Sequence, residues 1–457
     1  MVKDLVVIGG GPGGCAAALR AAGLGAKVTL IEREQLGGTC LNRGCIPTKA
    51  LYKSAQVIRT MREASHFGIS LSGYELDFPA VQARKLKIVL QLRSGMEQML
   101  RNAGIQVVTG NGRLIDRHTV AVTAPEGGVE KIKGSWILLA AGSEDAGLTV
   151  PGADLSGVLT TKDILEIKQI PSQLVIIGAG VVGIELAGIF EAFGSRVTVL
   201  EVLPRILPSM DQDIGKRLAV LLKKKGIRIE TGVQIQRIRR NKNGLSVLTA
   251  GKQGEEEFPA EVVLTAAGRK VNIEGLNLAE AGVACEHNRI PVDDSYATSV
   301  SGIFAVGDVI GGKMLAHTAL AEGKAAVESM FGIAAAVKKQ AIPSCVFAFQ
   351  EAAAVGLTEQ EASDRKIPLL VGSYPLTNNA KALTMGENDG FLKVVADAES
   401  KKILGVHILG SQATELIQAG TMAVELELSA GDIERVMQAH PTFGESFLEA
   451  VLRLEPK

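Results

Sequence analysis

The chain has 457 residues and a mass of 48.0 kDa, more than one typical domain, so roughly two to four are expected. With 46% hydrophobic and 21% charged residues it reads as a well-cored globular protein, and 49 Lys+Arg against 49 Asp+Glu leave no net charge to draw it to nucleic acid or an anionic membrane. The uncharged runs at residues 5–19 and 170–184 contain glycines and fall short of the roughly 18 apolar residues of a membrane span. The start, MVKDLVVIGG, enters a strand at once without a basic, apolar, cleavable leader, and five cysteines make no secreted disulfide framework. A cytoplasmic protein is expected, in which a disulfide would be chemical rather than architectural.

Residues 5–8 form a short apolar strand. Gly9-Gly10-Gly11-Pro12-Gly13-Gly14 follows, then an alanine-rich helical segment to Leu24 and a strand over 27–31 ending at Glu32. This is a βαβ unit with Gly9-x-Gly11-x-x-Gly14 at its turn. An amphipathic helix is predicted over about 78–103, short strands with a Gly127-Gly128 hairpin over 110–132, and a strand from Trp136 to the turn Gly142-Ser143. The βαβ unit then returns: a strand at 174–177, Gly178-x-Gly180-x-x-Gly183, a helix to Phe193 and a strand at 196–200 ending at Glu201. Residues 226–251 alternate like a small sheet, and 262–268 is a strand running into a glycine. Ser301-Gly302-Ile303-Phe304-Ala305-Val306-Gly307-Asp308 is an apolar strand ending on an acid, and it feeds a helix over 315–330. From about Pro343 the glycine motifs stop. Alternating strands at 391–396 and 403–409 and helices at 413–426 and 445–452 mark a separate domain. The predicted fold class is α/β, with two Rossmann-like dinucleotide-binding domains and a C-terminal α+β domain.

One such glycine motif is weak evidence; two, each between strand and helix and with an acid in the same register, are strong. The first glycine makes the tight turn, the second admits a pyrophosphate, and the third lets helix and strand approach. The helix N-terminus receives the phosphates, and Glu32 and Glu201 accept hydrogen bonds from ribose hydroxyls. A carboxylate at Glu201 would face the 2′-phosphate of NADP. Arg196 precedes that acid and Arg205 lies beyond Pro204, so NAD is favoured. Asp308, at a carboxyl strand end, stands where open α/β sheets bind ligands; its plainer reading is a helix N-cap.

The segment GGTCLNRGCIPTK, residues 37–49, holds Cys40 and Cys45 at i and i+5. In a regular helix that spacing rises about 7.5 Å, whereas a disulfide needs Cα atoms roughly 4.4–6.8 Å apart. A bond would therefore require a distorted first turn, which Gly37, Gly38 and Gly44 permit. Pro47 suits the first helical turn, and a helix N-terminus together with Lys49 favours thiolate. Two cysteines do not make a zinc site, so no metal is expected. Two inert packed thiols remain the plain alternative; two dinucleotide folds around them favour a redox pair. Near the C-terminus, His440-Pro441-Thr442-Phe443-Gly444-Glu445 offers two readings. Thr442-x-x-Glu445 is a capping-box pattern, and Glu445 could equally orient His440 as a base.

Over essentially its whole length the chain resembles the class I pyridine nucleotide-disulfide oxidoreductases. GGTCLNRGCIPTK is similar to their redox-active segment, GAGVVGIE to the NAD motif, SGIFAVGD to the second FAD motif and HPTFGE to the C-terminal histidine segment. The resemblance implies FAD and NAD as cofactors. It implies an FAD-binding domain in 1–143, an NAD-binding domain in 144–268, a central domain completing the FAD site in 269–340 and an interface domain in 341–457. Gly9, Gly11, Gly14 and Glu32 would hold the adenosine half of FAD, with Gly142 at the same site and Asp308 toward the ribityl chain. Gly178, Gly180, Gly183 and Glu201 would hold NAD. Cys45 would be the flavin-proximal thiol, Cys40 the interchange thiol, and Lys49 would sit beside the flavin and pair with Glu185. His440 and Glu445 would come from the other subunit of a homodimer. The implied reaction is oxidation of dihydrolipoamide by NAD+, on lipoylated carrier domains of a 2-oxo acid dehydrogenase acyltransferase or a glycine cleavage carrier protein. The alternative is a related FAD disulfide reductase acting on another disulfide. Three positions depart from the family pattern: Ala141 replaces a threonine, Gln350 stands where a proline is expected, and Gly444 where a serine is common.

Overall fold

The computed structural model describes residues 3–242, 244–252, 254–333 and 341–457. Two compact units form: Met1–Ala50, Gln82–Ala146 and Arg269–Val337 in one, Leu51–Val81, Gly147–Gly268 and Lys338–Lys457 in the other.

The first unit centres on a five-stranded parallel sheet in the order Ile303–Ala305, Trp136–Leu139, Asp4–Ile8, Lys27–Glu32, Gln106–Thr109. Its inner strands are largely apolar at successive positions because both faces are covered, whereas the edge strand Gln106–Thr109 is mostly exposed. Leu5 and Val7 pack with Cys15, Ala17, Leu138 and Val306, while Val6 and Ile8 pack with Leu114, Val120 and Ile137. The helices Pro12–Gly23 and Ala316–Met330 approach so closely that a Cβ at Gly323 would lie 2.3 Å from the Gly13 carbonyl oxygen. The strands Asn111–Asp116, Thr119–Thr123 and Val129–Lys133 form an antiparallel sheet with its hairpin at Gly127-Gly128. Ser143–Asp145 pairs with Arg269–Val271.

In the second unit the parallel sheet runs Arg228–Thr231, Arg196–Glu201, Gln173–Ile177, Val262–Thr265, Val158–Leu159. The motif strand is again central, with the acid-bearing strand at its side. Residues 226–251, expected as one small sheet, divide between two. Arg228–Thr231 joins the parallel sheet, and Gln234–Asn241 and Gly244–Gly251 pair with each other and with Gly254–Ala260. The division falls at Gly232, whose φ is +71°. Its N–H donates to the Leu203 carbonyl and that of Val233 to the Glu201 carbonyl. Period-two alternation fits either ladder, so the pattern alone did not separate them.

The C-terminal domain holds a six-stranded antiparallel sheet: Ser344–Val346, Ala352–Gly356, Ile403–Leu409, Phe391–Asp397, Leu369–Pro375, Glu455–Pro456. Lys393, 3% exposed on one of these strands, places its Nζ 3.1 Å from Asp211, 2.8 Å from Asp213 and 2.6 Å from Glu359. Asp211 is itself 1% exposed and caps the helix Gln212–Lys224. Burial alone would lower the Lys393 pKa; hydrogen bonds to Asp213 and Glu359 and the Asp211 charge outweigh it and raise it. Lys393→Met leaves a buried carboxylate uncompensated, so a loss of about 3–5 kcal/mol is expected in a denaturant titration. The raised Lys393 pKa stabilises fully below about pH 10.4, the unfolded value, and that contribution is lost only as pH rises through the folded one. His407, buried with Nε2 3.0 Å from the Leu357 carbonyl, has its pKa lowered by burial. Its contribution is present above about pH 6.5 and declines as pH falls toward the folded value, so wild-type stability should fall on the acid side first.

Candidate functional site

The two glycine motifs are geometric copies. Gly9 has φ +109° and a Cβ there would lie 2.3 Å from the Ala140 carbonyl oxygen; at Gly178 the values are +108° and 2.4 Å from the Ala266 oxygen. A Cβ at Gly14 would come 1.9 Å from the Gly9 oxygen, and at Gly183 2.0 Å from the Gly178 oxygen. The middle glycines differ. Gly11 and Gly180 cap their helices with extended backbone, and a Cβ at either would meet no protein atom within 4 Å. The outer glycines are thus required by the chain's own packing, whereas the middle ones keep the helix N-termini open to a group from outside. That arrangement fits a dinucleotide pyrophosphate.

Glu32 accepts the Gly10 N–H at 2.7 Å and the Glu34 N–H at 2.8 Å, one on each carboxylate oxygen. Glu201 does the same with Ala179 at 2.7 Å and Leu203 at 2.8 Å. Each acid therefore ties its motif turn to its strand end, a role the spacing did not reveal. Each oxygen retains acceptor capacity for a ribose hydroxyl. Arg205 donates to the Met210 and Pro208 carbonyls at 2.8 and 2.7 Å, so its guanidinium is committed to its own loop.

Asp308 lies in the short 3-10 turn Gly307–Ile310; the helix Ala316–Met330 is capped by Leu315 instead. The Ser143 hydroxyl donates to the Asp308 carboxylate. Arg269 donates to the Ser143 hydroxyl at 2.7 Å and to its carbonyl at 2.6 Å, with Nε 3.8 Å from Asp308. Gly142, with φ +71°, makes the turn that presents Ser143. Glu322 accepts the Gly307 N–H at 2.8 Å. Arg269 and Glu322 escaped the sequence reading, and Ser143 entered it only as part of a turn; for Arg269, a cation directly after the strand-end glycine Gly268 was the available signal.

The cysteine segment is broken between the two sulfurs, as its glycines permit, although the pair is unbridged. Gly37, left-handed at φ +93°, opens the helix Gly38–Arg43; Gly44 ends it at φ −140°, ψ −110°; Cys45 starts the helix Cys45–Arg62. A Cβ at Gly44 would lie 3.0 Å from the Thr39 carbonyl oxygen. The segment packs directly on the first glycine motif: Gly37 N–H donates to Gly10 O at 2.8 Å, and a Cβ at Gly38 would sit 2.8 Å from the Gly11 Cα. Cys40 is half-buried, Cys45 exposed, and the two are unbridged. The hydrogen bond between them, then burial, pushes the Cys40 thiol pKa up, while the Lys49 charge opposes the shift. Cys15 is different. Its thiol donates to Gly10 O at 3.1 Å, and burial pushes its pKa up to about 12, so it is a packed, unreactive thiol.

Glu445 contacts both His440 and the Thr442 backbone. One oxygen lies 2.8 Å from His440 Nδ1 and the other accepts the Thr442 N–H at 2.7 Å. The Thr442 N–H, then His440, holds the carboxyl pKa below its ordinary value. The Thr442 hydroxyl turns back to the Ala439 carbonyl, and Gly444 is the N-cap of the helix Glu445–Val451, so only half of a capping box forms. His440 is 72% exposed. Glu185, 3% exposed, accepts the Phe347 N–H at 3.0 Å. The glycine motif at 9–14, Asp308, both cysteines and Lys49 belong to the first unit; the glycine motif at 178–183, Glu185, His440 and Glu445 belong to the second. Among the described residues no helix is long and apolar enough to cross a membrane.

Residues 3–323 match the model of the pyridine nucleotide-disulphide oxidoreductases, and residues 342–451 match the dimerisation domain of the same family. The chain belongs to that family, and its C-terminal domain is the family's dimerisation domain. It is 39% identical to the dihydrolipoyl dehydrogenase of Bacillus subtilis, over 99% of this chain and 98% of that one. Among solved structures it is similar to LpdA of Mycobacterium tuberculosis, with a TM-score of 0.92 at 26% identity, covering 99% of both chains. It is also similar to the HOCl-induced flavoprotein disulfide reductase of Escherichia coli, with a TM-score of 0.88 at 28% identity, covering 98% of this chain and 99% of that one.

Proposed function

We propose that the protein is a dihydrolipoyl dehydrogenase, oxidising dihydrolipoamide on a lipoylated carrier domain with NAD+ in the cytoplasm. The observation that carries this reading is the cysteine pair, hinged at Gly44 and packed on the first of two equivalent glycine motifs. Relatives of that name, 39% identical along the full length in the Bacillus subtilis case, support the choice of substrate. In this reading the domains divide at 143, 268 and 340, the last boundary lying outside the described residues.

Gly9, Gly11, Gly14, Glu32, Gly142 and Asp308 would hold FAD, with Ser143 and Arg269 fixing the Asp308 carboxylate. Gly178, Gly180, Gly183 and Glu201 would hold NAD. Bound FAD supplies the two-electron relay between thiols and nicotinamide. The chain's own residues handle the sulfur and the protons. His440, its Nδ1–H held by Glu445, takes a proton on Nε2 from one thiol of the substrate. That sulfur attacks Cys40 in the Cys40–Cys45 disulfide, the S–S bond breaks, and Cys45 leaves as thiolate. The second substrate thiol then attacks the mixed disulfide. Lipoamide departs with its ring closed, and Cys40 and Cys45 remain as the reduced pair. Overall, two electrons and one proton reach NAD+ as hydride and one proton is released. Lys49 and Glu185 adjust charge around the pair. In the homodimer, His440 and Glu445 of one subunit serve the cysteines of its partner.

Reducing the purified protein anaerobically with dihydrolipoamide should produce a long-wavelength thiolate–flavin absorbance. NAD+, and not NADP+, should discharge it as NADH appears. A flavin spectrum that stays oxidised removes the lipoamide assignment and leaves a related FAD disulfide reductase with another disulfide substrate.

A further inference from the structure

Asn42 stands between the two cysteines and is 9% exposed. Its amide nitrogen donates to the Leu36 and Gly38 carbonyls, both at 2.9 Å. Its amide oxygen accepts from Arg93 Nε at 2.9 Å and Nη2 at 2.7 Å. Arg93 lies on the long helix Phe78–Asn102 and also donates to the Gln35 side chain at 2.9 Å. Both amide donors and both acceptor lone pairs of Asn42 are thereby used, which makes a fully satisfied, orientation-fixing node. The same long helix reaches the other side of the Gly44 break, where Arg84 donates to the Ala50 carbonyl at 3.0 Å. Neither arginine belongs to the glycine motifs or the thiol chemistry, yet Arg84 holds the backbone after the dithiol directly and Arg93 fixes the Asn42 side chain that holds the backbone before it.

We propose that the Arg93–Asn42 pair is a positioning device for the dithiol, setting how readily Cys40 and Cys45 close into a disulfide. The inference rests on the reading that these two cysteines are the exchanging pair. Closure converts two thiols into one S–S bond with loss of two protons and two electrons. Its equilibrium depends on the effective concentration of one sulfur at the other. A clamp on the helix Gly38–Arg43 keeps Cys40 near Cys45 while both are thiols, so less freedom is lost when the bond forms. Releasing the clamp widens the dithiol ensemble and disfavours the bridged state.

The test equilibrates FAD-loaded Arg93→Met and Arg93→Lys with buffers of reduced and oxidised dithiothreitol. Oxidised dithiothreitol takes the electrons and protons, free thiols are quenched with maleimide, and the bridged fraction is read by mass. Arg93→Met should shift the midpoint about tenfold toward dithiol, about 30 mV for a two-electron couple, at wild-type FAD content. Arg93→Lys, keeping charge but not the fork, should shift it less. A midpoint within twofold of wild type in Arg93→Met at full FAD content overturns the proposal. If Arg93→Met loses FAD, Arg93→Lys decides: a shift at full FAD content supports the proposal and an unchanged midpoint overturns it. A wild-type pair that never bridges in any buffer refutes the functional reading instead.

Discussion

Cys40→Ser should lower dihydrolipoamide:NAD+ turnover by on the order of 10⁴-fold or more while FAD stays bound. The substitution removes one atom's chemistry and little else. Serine keeps the volume and a hydroxyl able to donate where the Cys40 thiol hydrogen bonds to Cys45. Gly37 and Gly38 continue to seat the segment on the first glycine motif, since those contacts are made by backbone. Cys45 is left in place and, if it acts as the flavin-proximal thiol, should still give a long-wavelength band with the oxidised flavin. Cys45→Ser should also lose turnover, but without that band. The pair of variants separates the two sulfurs: normal turnover by Cys40→Ser, or an identical band in both, would refute the assignment of Cys40 as the interchange thiol.

His440→Gln should slow dihydrolipoamide oxidation by about 10²–10⁴-fold, the usual contribution of a positioned general base. The physical reason is the Glu445 carboxylate. Its lowered pKa keeps it ionised at neutral pH, and its 2.8 Å contact with Nδ1 assigns the proton there, leaving Nε2 as the basic nitrogen. Glutamine keeps a polar group but offers no base. Oxidation of NADH by an artificial one-electron acceptor needs no substrate thiol deprotonated, so it should remain near wild type. Equal losses in the two assays would show that the substitution damages the domain rather than the proton transfer.

The architecture was readable because its signals are local. Two strand–glycine–helix–strand–acid units repeat in one register, and the glycines with φ near +109° leave no other residue a choice. The distorted cysteine turn was legible for the same reason: Gly37, Gly38 and Gly44 permit a break that a bond across the i, i+5 spacing would need. The 226–251 segment was misread because alternation is the same in both sheets, and only the pairing partner distinguishes them.

By itself, then, the sequence determined two dinucleotide folds, the placing of two cysteines just after the first of them, the nearness of His440 and Glu445, and the C-terminal α+β domain, since each is written in neighbouring residues. Only the tertiary structure decided that Glu32 and Glu201 brace their own motif turns, that Ser143 and Arg269 hold Asp308, that Lys393 gathers Asp211, Asp213 and Glu359, and that Arg93 holds Asn42 beside the cysteines. Most of these contacts join residues far apart in the chain, and all are made by side-chain polar groups whose direction is set by packing, a quantity no local pattern of residue types encodes.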